Sequence, residues 1–403
     1  MKILIKQARV IDPANNLDDI RDILVTDGRI EKVAANINNK PETVIDARGK
    51  IVMPGLVDMH VHLREPGRED KETIASGTLA AAKGGVTSVL AMPNTEPAID
   101  SSQNLTLLKN IINQTAKVRV FICASITRSR LGRELTDIAG LKKEGAIAFS
   151  DDGLSVESVA LMQEALKQAQ EQGALVISHC EDKSLSLKGV VNLGITSTRM
   201  GLRGISKEAE YKRVQRDIEL AERIKARIHI AHVSCRESVE VIAAAKKKGI
   251  RVTCEVTPHH FSLNEEAVLG FDTNFKMNPP LRNKEDMLCL RQALVNGTID
   301  LIASDHAPHT ENEKEIEFER AEFGVAGLET ELAVAITELV HTGLLAWEDL
   351  VRKLALNPAK ILGIPKGTLS VGADADLIVV SPEKEWLVKK EGLVSKSKNC
   401  AFL

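Results

Sequence analysis

The chain has 403 residues, of which 43% are apolar and 27% charged, an ordinary composition for a folded globular protein. A net charge of −3 predicts no basic surface for nucleic acid or an anionic membrane, and no segment is apolar for long enough to predict a transmembrane helix. The six cysteines are scattered without a CxxC pair, so we expect reduced thiols and a cytoplasmic protein rather than a disulfide framework.

The two ends of the chain predict short strands joined by turns. The N-terminal segment MKILIKQARVIDP predicts a strand and a turn rather than a signal peptide. Further alternating segments, such as DILVTDGRIEKVA, are interrupted by Asp-Gly or Gly, and GADADLIVV returns near the C-terminus. We therefore predict a small β-sandwich module made of residues 1–52 and 366–403, around a central domain of residues 53–365.

The central domain alternates between strand-like and helix-like segments. Helical stretches such as VESVALMQEALKQAQEQG and SVEVIAAAKKKG separate most of eight candidate strands. These strands are Leu56–His62, Thr87–Met92, Arg119–Ser125, Ala146–Ser150, Leu175–His179, Arg227–His232, Arg251–Val256 and Ile299–Ser304. Eight alternating units are typical of the α/β class, and we predict a (β/α)8 TIM-type barrel.

Histidines and aspartates recur where these candidate strands end. In DMHVHLR, His60 and His62 are two residues apart, so on a strand their side chains share a face. Each residue alone could be a satisfied core histidine or a capping aspartate, but functional groups of such barrels lie at the carboxyl ends of the strands. Burying so many polar groups needs compensation. We therefore predict a divalent metal site formed by His60, His62, Asp152, His179, His232 and Asp305.

Some neighbouring polar residues leave alternatives open. In FSDDG, Asp151 and Asp152 both offer a carboxylate that could bridge two metal ions, and their spacing does not distinguish them. We interpret His259 and His260 as hydrogen-bond partners of the site or as structural residues. His229 faces away from His232 on a strand and is predicted to be structural. The polar segment from residue 306 to 319 predicts a mobile loop that closes over the site.

The segments DMHVHLREP and ASDHAPHTENEK resemble the two signature segments of dihydroorotases, and PGLVDMHVH with GADADLIVV resembles the wider cyclic amidohydrolase superfamily. The resemblance extends over essentially the whole chain and is strongest to the class I bacterial dihydroorotases. It implies zinc-dependent, reversible interconversion of L-dihydroorotate and N-carbamoyl-L-aspartate in pyrimidine biosynthesis, with one or two zinc ions per subunit. It further implies a homodimer and leaves open a complex with aspartate transcarbamoylase.

The resemblance also implies residue roles. His60, His62 and Asp305 would hold one zinc ion, His179 and His232 a second, and Asp152 would bridge the two. Asp305 would be catalytic, because it could move a proton between the attacking water and the ring nitrogen. Arg64 suits the substrate carboxylate, which a guanidinium can bind through two hydrogen bonds. The full set of implied substrate contacts is His62, Arg64, Asn94, Asn278, His309, Phe323 and Gly324.

Two features depart from the relatives. Hydantoinases and other dihydroorotase classes bridge their metals with a carboxylated lysine, whereas the fourth strand here offers Asp152. That difference favours class I over a hydantoinase or allantoinase and leaves the occupancy of the second zinc site open. The chain ends at NCAFL, earlier than its relatives, so we expect a shorter terminal sheet. A non-catalytic homologue that only supports the transcarbamoylase is disfavoured, because every ligand type is retained.

Overall fold

The structure is a computed structural model that describes residues 1–39 and 41–403. Its strands are β1 (Lys2–Asp12), β2 (Leu17–Thr26), β3 (Arg29–Ala34), β4 (Thr43–Asp46), β5 (Ile51–Pro54), β6 (Leu56–Val61), β7 (Val86–Ala91), β8 (Arg119–Ala124), β9 (Ala146–Phe149), β10 (Leu175–Ser178), β11 (Val191–Asn192), β12 (Gly204–Ile205), β13 (Ile228–Ile230), β14 (Val252–Val256), β15 (Leu301–Ile302) and β16 (Leu377–Val380).

The helices mostly follow the strands and cover the outside of the barrel. They are α1 (Ile74–Gly84), α2 (Ser102–Thr115), α3 (Ile138–Lys143), α4 (Val159–Glu171), α5 (Lys183–Ser186), α6 (Ile195–Met200), α7 (Glu208–Ile224), α8 (Arg236–Lys247), α9 (Pro258–Ser262), α10 (Lys284–Val295), α11 (Glu311–Lys314), α12 (Glu331–Ala335), α13 (Trp347–Val351) and α14 (Asn357–Leu362). None of the helices in the described residues is both long and apolar enough to span a membrane.

Eight parallel strands form the barrel, in the order β6-β7-β8-β9-β10-β13-β14-β15. The gap between β15 and β6 is closed by a parallel bridge between Val61 and His306. Each predicted strand has its counterpart, so the predicted α/β class and TIM-type barrel are confirmed. Strand β14 ends at Val256 as predicted, but the other seven barrel strands end one or two residues earlier than predicted, and His62, His179 and His232 lie just beyond them.

Side chains from both faces of the barrel strands are buried. All six residues of β6 are buried. Val57 and Met59 belong to the cluster that fills the barrel, whereas Leu56 and Val61 pack in the layer under the helices. Burial on both faces explains the nearly continuous apolar runs of the barrel strands. A polar residue in such a strand is therefore conspicuous.

The strands at the two ends of the chain form one six-stranded sheet. Strand β1 pairs with β2 in antiparallel and with β4 and β5 in parallel orientation. Strand β16 joins this sheet by pairing antiparallel with β5. The residues that follow β16 return to the barrel, where Asn399 donates a hydrogen bond to the carbonyl of Gly324. The division into residues 1–52, 53–365 and 366–403 stays a prediction.

Candidate metal centre and substrate pocket

Six side chains converge at the carboxyl end of the barrel, and the carboxylate of Asp152 lies at their centre. Its Oδ1 is 3.3 Å from Nε2 of His60 and 3.6 Å from Nδ1 of His179. The same oxygen is 3.6 Å from Nε2 of His232, and Oδ2 is 3.3 Å from Nε2 of His62. Asp152 thus contacts imidazoles that come from three different strand ends.

Asp305 completes the group from the end of β15. Its Oδ1 lies 3.2 Å from Nε2 of His62 and 3.6 Å from Nε2 of His60. The structure therefore brings all six predicted ligands together: His60, His62, Asp152, His179, His232 and Asp305.

The donor atoms fit a divalent metal. Among the residues that the structure describes, His60 Nε2, Asp152 Oδ1 and His232 Nδ1 are buried without a hydrogen-bond partner. The ligand atoms of His60, Asp152 and His232 lie within 4.8 Å of one another, as do those of His60, His62 and Asp305. Imidazole nitrogens and carboxylate oxygens are ordinary ligands of zinc and similar metals. Buried atoms that lack a partner are what a metal site leaves when no ion is present.

Two neighbouring side chains orient the first pair of histidines. Nδ1 of His60 donates to Oε1 of Glu255 at 2.5 Å, and Nδ1 of His62 donates to Oδ1 of Asn94 at 2.7 Å. Both contacts leave Nε2 as the nitrogen that points at Asp152 and Asp305. Hydrogen bonds of this kind select the tautomer and hold the ring of a metal-binding histidine.

The two aspartates of FSDDG have separate roles in the structure. Asp151 accepts hydrogen bonds from the backbone N–H of Thr127, at 3.0 Å, and from the Thr127 hydroxyl. Asp151 therefore holds the loop after β8, whereas Asp152 contacts the histidines. Spacing alone left the two aspartates equivalent, the resemblance implied Asp152, and the structure places Asp152 against the histidines.

Three site residues have left-handed backbone conformations. Arg64 has a φ of 62°, His232 of 31° and Asp305 of 46°. Residues other than glycine adopt this region at a cost of about 1–3 kcal/mol, and such strain concentrates at functional sites. The three positions follow β6, β13 and β15, where the chain turns away from the strand to present its side chains.

The histidines also keep the site's carboxylates ionised. Burial by itself would raise the pKa of Asp305, but the charge of His60 and the contact with His62 outweigh it and hold this pKa below its ordinary value. Burial likewise opposes ionisation of Asp152, and the charge of His60 with the contacts to His179 and His232 holds its pKa well below the usual range. Both groups are therefore anionic at neutral pH, as metal ligands must be.

A cavity of about 640 Å³ opens beside the six converging side chains. The predicted substrate contacts all line it: His62, Arg64, Asn94, Asn278, His309, Phe323 and Gly324. The structure thus brings together residues that are up to 262 positions apart in the chain, from His62 to Gly324. The wall also contains Lys71 and Arg130, which the sequence analysis did not identify.

Arg64 and His309 form the polar end of this cavity. Nε of Arg64 donates to the carbonyl of Pro308 at 3.1 Å, and Nη2 lies 3.3 Å from Nε2 of His309. Nε2 of His309 donates to the carbonyl of Phe323 at 2.8 Å, and Lys71 Nζ donates to its Nδ1 at 3.2 Å. Burial, with the charges of Arg64 and Lys71, lowers the pKa of His309 to about 2. His309 is therefore neutral, and the positive charge here belongs to Arg64 and Lys71.

Asn278 also lines the cavity. Its Nδ2 donates to Oε2 of Glu181 at 3.0 Å, and the same carboxylate oxygen lies 3.3 Å from Nε2 of His179. Glu181 thereby links a predicted metal ligand to a predicted substrate contact.

Several supporting residues were missed because their partners are distant in sequence. Glu255 accepts from His60 and His229, and Arg130 Nη1 donates to the backbone carbonyl of Asp152 at 2.8 Å. Glu255 carried a signal, since it is a charged residue in the otherwise apolar strand VTCEV. Arg130 carried none, because its segment RSRLGR predicts only a basic turn.

His259 and His260 lie outside the converging group. His260 donates from Nε2 to the carbonyl of Pro279 at 2.9 Å, and its Nδ1 lies 2.8 Å from the Thr257 hydroxyl. The ring of His259 packs 4.5 Å from that of His260, and its Nε2 is buried without a partner in the described part of the chain. Neither residue contributes to the groups of atoms that could hold a metal in these described residues.

Comparison with known proteins gives one consistent family. Residues 49–238 match the family model described as Dihydro-orotase-like. The whole chain is 53% identical to a dihydroorotase of Elusimicrobium minutum, of which it covers 93%, and 50% identical to one of Pelotomaculum thermopropionicum, of which it covers 94%. Among solved structures, the L-hydantoinase (dihydropyrimidinase) of Arthrobacter aurescens is 26% identical with a TM-score of 0.89, over 99% of this chain and 91% of that one.

Proposed function

Because the chain belongs to the dihydroorotase family, we propose that its six converging His and Asp side chains hold zinc and that the adjoining cavity binds the pyrimidine ring. The enzyme is a cyclic amidohydrolase that interconverts L-dihydroorotate and N-carbamoyl-L-aspartate in pyrimidine biosynthesis. The observation that carries the residue assignment is the contact of one buried carboxylate, Asp152, with imidazoles from three strand ends.

In this proposal His60, His62 and Asp305 hold one zinc ion, His179 and His232 a second, and Asp152 bridges them. Three possible ligand atoms of this group are buried without a hydrogen-bond partner in the described residues, which supports the assignment. The choice of zinc rests on the mixture of imidazole and carboxylate ligands. The chemistry that a bound zinc ion supplies is activation of water at neutral pH and polarisation of the carbonyl under attack.

Asp305 is the proposed proton carrier. It is ionised at neutral pH and can therefore take up a proton from the attacking water when the ring opens. It then delivers that proton to the ring nitrogen as the C–N bond breaks. In ring closure the same oxygen takes a proton from the ureido nitrogen. The left-handed backbone of Asp305, with a φ of 46°, aims its side chain at the cavity that it lines.

Arg64, Asn94 and His309 are the proposed contacts of the substrate carboxylate. Arg64 is buried, so its attraction for an anion is screened less by water than at the surface. Asn94 uses Oδ1 to accept from His62, which leaves its Nδ2 to donate to the substrate. Asn278 and the backbone of Phe323 and Gly324, which also line the cavity, are proposed to contact the ring.

By resemblance we also propose a class I enzyme that acts as a cytoplasmic homodimer and can associate with aspartate transcarbamoylase. The six cysteines are all free and five of them are buried, which fits a reducing compartment. The division into a terminal module and a barrel is supported by the pairing of β16 with β5. Light scattering of the purified protein, with and without the transcarbamoylase, tests the assembly.

The decisive experiment combines metal analysis with turnover of dihydroorotate, hydantoin and allantoin. We expect one or two zinc ions per chain and the highest kcat/KM for dihydroorotate. Faster turnover of hydantoin than of dihydroorotate would overturn the substrate assignment. Full activity in protein stripped of metal would overturn the metal centre.

A further inference from the structure

The backbone at Phe323 and Gly324 is held by side chains from three separate parts of the chain. Lys314 Nζ donates to the carbonyls of Glu322, at 2.8 Å, and Gly324, at 3.0 Å. Asn399 Nδ2, from the segment that follows β16, donates to the same Gly324 carbonyl at 2.9 Å. Two donors from separate segments of the chain thus share one carbonyl oxygen.

Lys276 holds the beginning of the same loop. Its Nζ donates to the carbonyls of Phe318, at 2.7 Å, and Glu319, at 2.9 Å. The ammonium group also lies 4.6 Å from the centre of the Phe323 ring, within the range of a cation–π contact. The backbone carbonyl of Lys276 accepts from the N–H of Gly324 at 3.0 Å. Lys276 therefore contacts the loop on both sides of Phe323.

The same contacts reach His309. The backbone N–H of His309 donates to Oδ1 of Asn399 at 3.2 Å, while its ring donates to the carbonyl of Phe323. Position 324 accommodates only glycine without strain, because a Cβ there would lie 2.7 Å from Cβ of Ala307 and the backbone φ is 123°. His309, Phe323 and Gly324 therefore form one rigid wall of the cavity.

We propose that Lys276, Lys314 and Asn399 form a clamp of positioning residues, which sets the wall that His309, Phe323 and Gly324 present to the substrate. This inference rests on the proposed function of that wall in binding the substrate. It adds the segment after β16 to the substrate site, although the sequence assigned that segment only to the terminal module. The clamp residues act through the wall and touch no reacting atom.

Both lysine side chains of the clamp are buried, and their ammonium groups need compensation for lost hydration. Lys276 and Lys314 are nearly inaccessible, at 2% and 3% exposed. Placing an ammonium group inside a protein costs several kcal/mol unless hydrogen bonds compensate for lost water. Each ammonium group donates to main-chain carbonyls of the substrate loop. Apolar side chains could fill the same space, but they could not hold several carbonyls in one orientation.

The clamp contains two groups that titrate near neutral pH. Burial lowers the pKa of Lys314 to about 7, with a further lowering by the charge of Lys276, while Asp272 and Glu322 oppose it. Burial lowers the pKa of Lys276 to about 8, and Glu322 and Glu319 oppose that shift. A neutral amine is a weaker hydrogen-bond donor than an ammonium group. We therefore expect the clamp to weaken as the pH rises through 7 to 8.

The test is the kinetics of Lys314→Met and Asn399→Ser, measured below pH 7, where Lys314 is charged. We expect KM for both dihydroorotate and carbamoyl aspartate to rise with metal content unchanged. The rise should be about tenfold for Lys314→Met, which loses hydrogen bonds from a charged group, and about threefold for Asn399→Ser, which loses one from a neutral amide. The matched control is Lys353→Met. Lys353 is also a buried lysine that donates to a carbonyl, that of Ile299 at 2.9 Å, but Ile299 precedes β15 at the other end of the barrel. This control should lose stability without a change in KM.

A pH profile separates positioning from a merely structural role. KM of the wild-type enzyme should rise as the pH passes 7, and Lys314→Arg should restore low KM and extend it to higher pH, because arginine keeps its charge. If both substitutions leave KM and its pH profile as in the wild type, the clamp is rejected. If Lys314→Met does not fold, Asn399→Ser decides. If the proposed function itself is wrong, the wild-type protein will lack metal or turnover. That result is distinct from rejection of the clamp, in which the wild type is active and the variants match it.

Discussion

Oε1 of Glu255 lies 2.5 Å from Nδ1 of His60, so a carboxylate on β14 orients a histidine on β6. The other oxygen of Glu255 accepts from Nε2 of His229 at 3.0 Å. His229, which the sequence predicted to be structural, thereby steadies the residue that orients a proposed metal ligand. The carboxylate is fully buried between the two rings, which makes their relative placement rigid.

Replacing Glu255 with glutamine should weaken metal binding by about 10- to 100-fold, as expected for loss of a carboxylate that supports a metal-binding histidine. The amide cannot accept as strongly from His60, and its NH2 group would face a ring nitrogen. Competition with a graded chelator measures the change. An unaltered metal affinity would contradict the role of Glu255, and circular dichroism provides the control for folding.

The two neighbouring aspartates should behave differently. Asp152→Ala should lose metal and turnover together, because Asp152 contacts both halves of the ligand set. Asp151→Ala should retain metal but lower the free energy of unfolding by about 1–3 kcal/mol, because the buried N–H and hydroxyl of Thr127 lose their hydrogen-bond acceptor. Metal analysis and chemical unfolding distinguish the pair. Retention of zinc and full activity in Asp152→Ala would mean that no aspartate bridge is required.

Asp305→Asn should lower kcat by about 10²- to 10⁴-fold, because an amide cannot carry the proton between water and ring nitrogen. The substrate contacts remain, so KM should change little. Steady-state kinetics in both reaction directions tests this, with metal content measured on the same sample. A variant that keeps its metal and its kcat would remove Asp305 from the proton pathway.

Arg64→Lys should raise KM for both substrates by about tenfold or more, because a lysine cannot bind a carboxylate through two parallel hydrogen bonds. It would also lose the donor to the Pro308 carbonyl. The matched control is Arg48→Lys, at an exposed arginine that pairs with Asp46 on the terminal sheet. Equal KM values for the two variants would remove Arg64 from substrate binding.

Glu331 predicts a pH dependence of stability. It is 1% exposed in α12, and neither of its oxygens has a partner in the described residues. Burial, with the charges of Asp58 and Glu255, raises its pKa well above the ordinary value.

A carboxyl whose pKa is raised by folding contributes stability below its unfolded pKa, and that contribution is lost as the pH rises through the folded pKa. Glutamine does not titrate. The free energy of unfolding of Glu331→Gln, relative to that of the wild type, should therefore increase as the pH rises. Urea unfolding across the pH range measures it, and a constant difference would contradict the argument.

The strand ends were the least predictable part of the fold. The sequence predicted a last barrel strand over Ile299–Ser304, whereas β15 covers only Leu301–Ile302. The apolar run continues through Ala303, but Asp305 turns into the left-handed region to present its carboxylate. The strand therefore ends before the apolar pattern does, because the backbone turns to bring the Asp305 carboxylate to the site.

The sequence by itself determined the barrel and the position of the proposed metal ligands. Apolar runs alternating with amphipathic helices specify eight parallel strands, and residues that follow such strands meet at one end of a barrel. Only the tertiary structure decided which partners Asp151 and Asp152 contact, that Glu255 supports His60, and that Asn399 reaches Gly324. The first set depends on periodicity along the chain, which can be read locally. The second depends on hydrogen bonds between segments as many as 195 residues apart, whose geometry exists only once the barrel has closed.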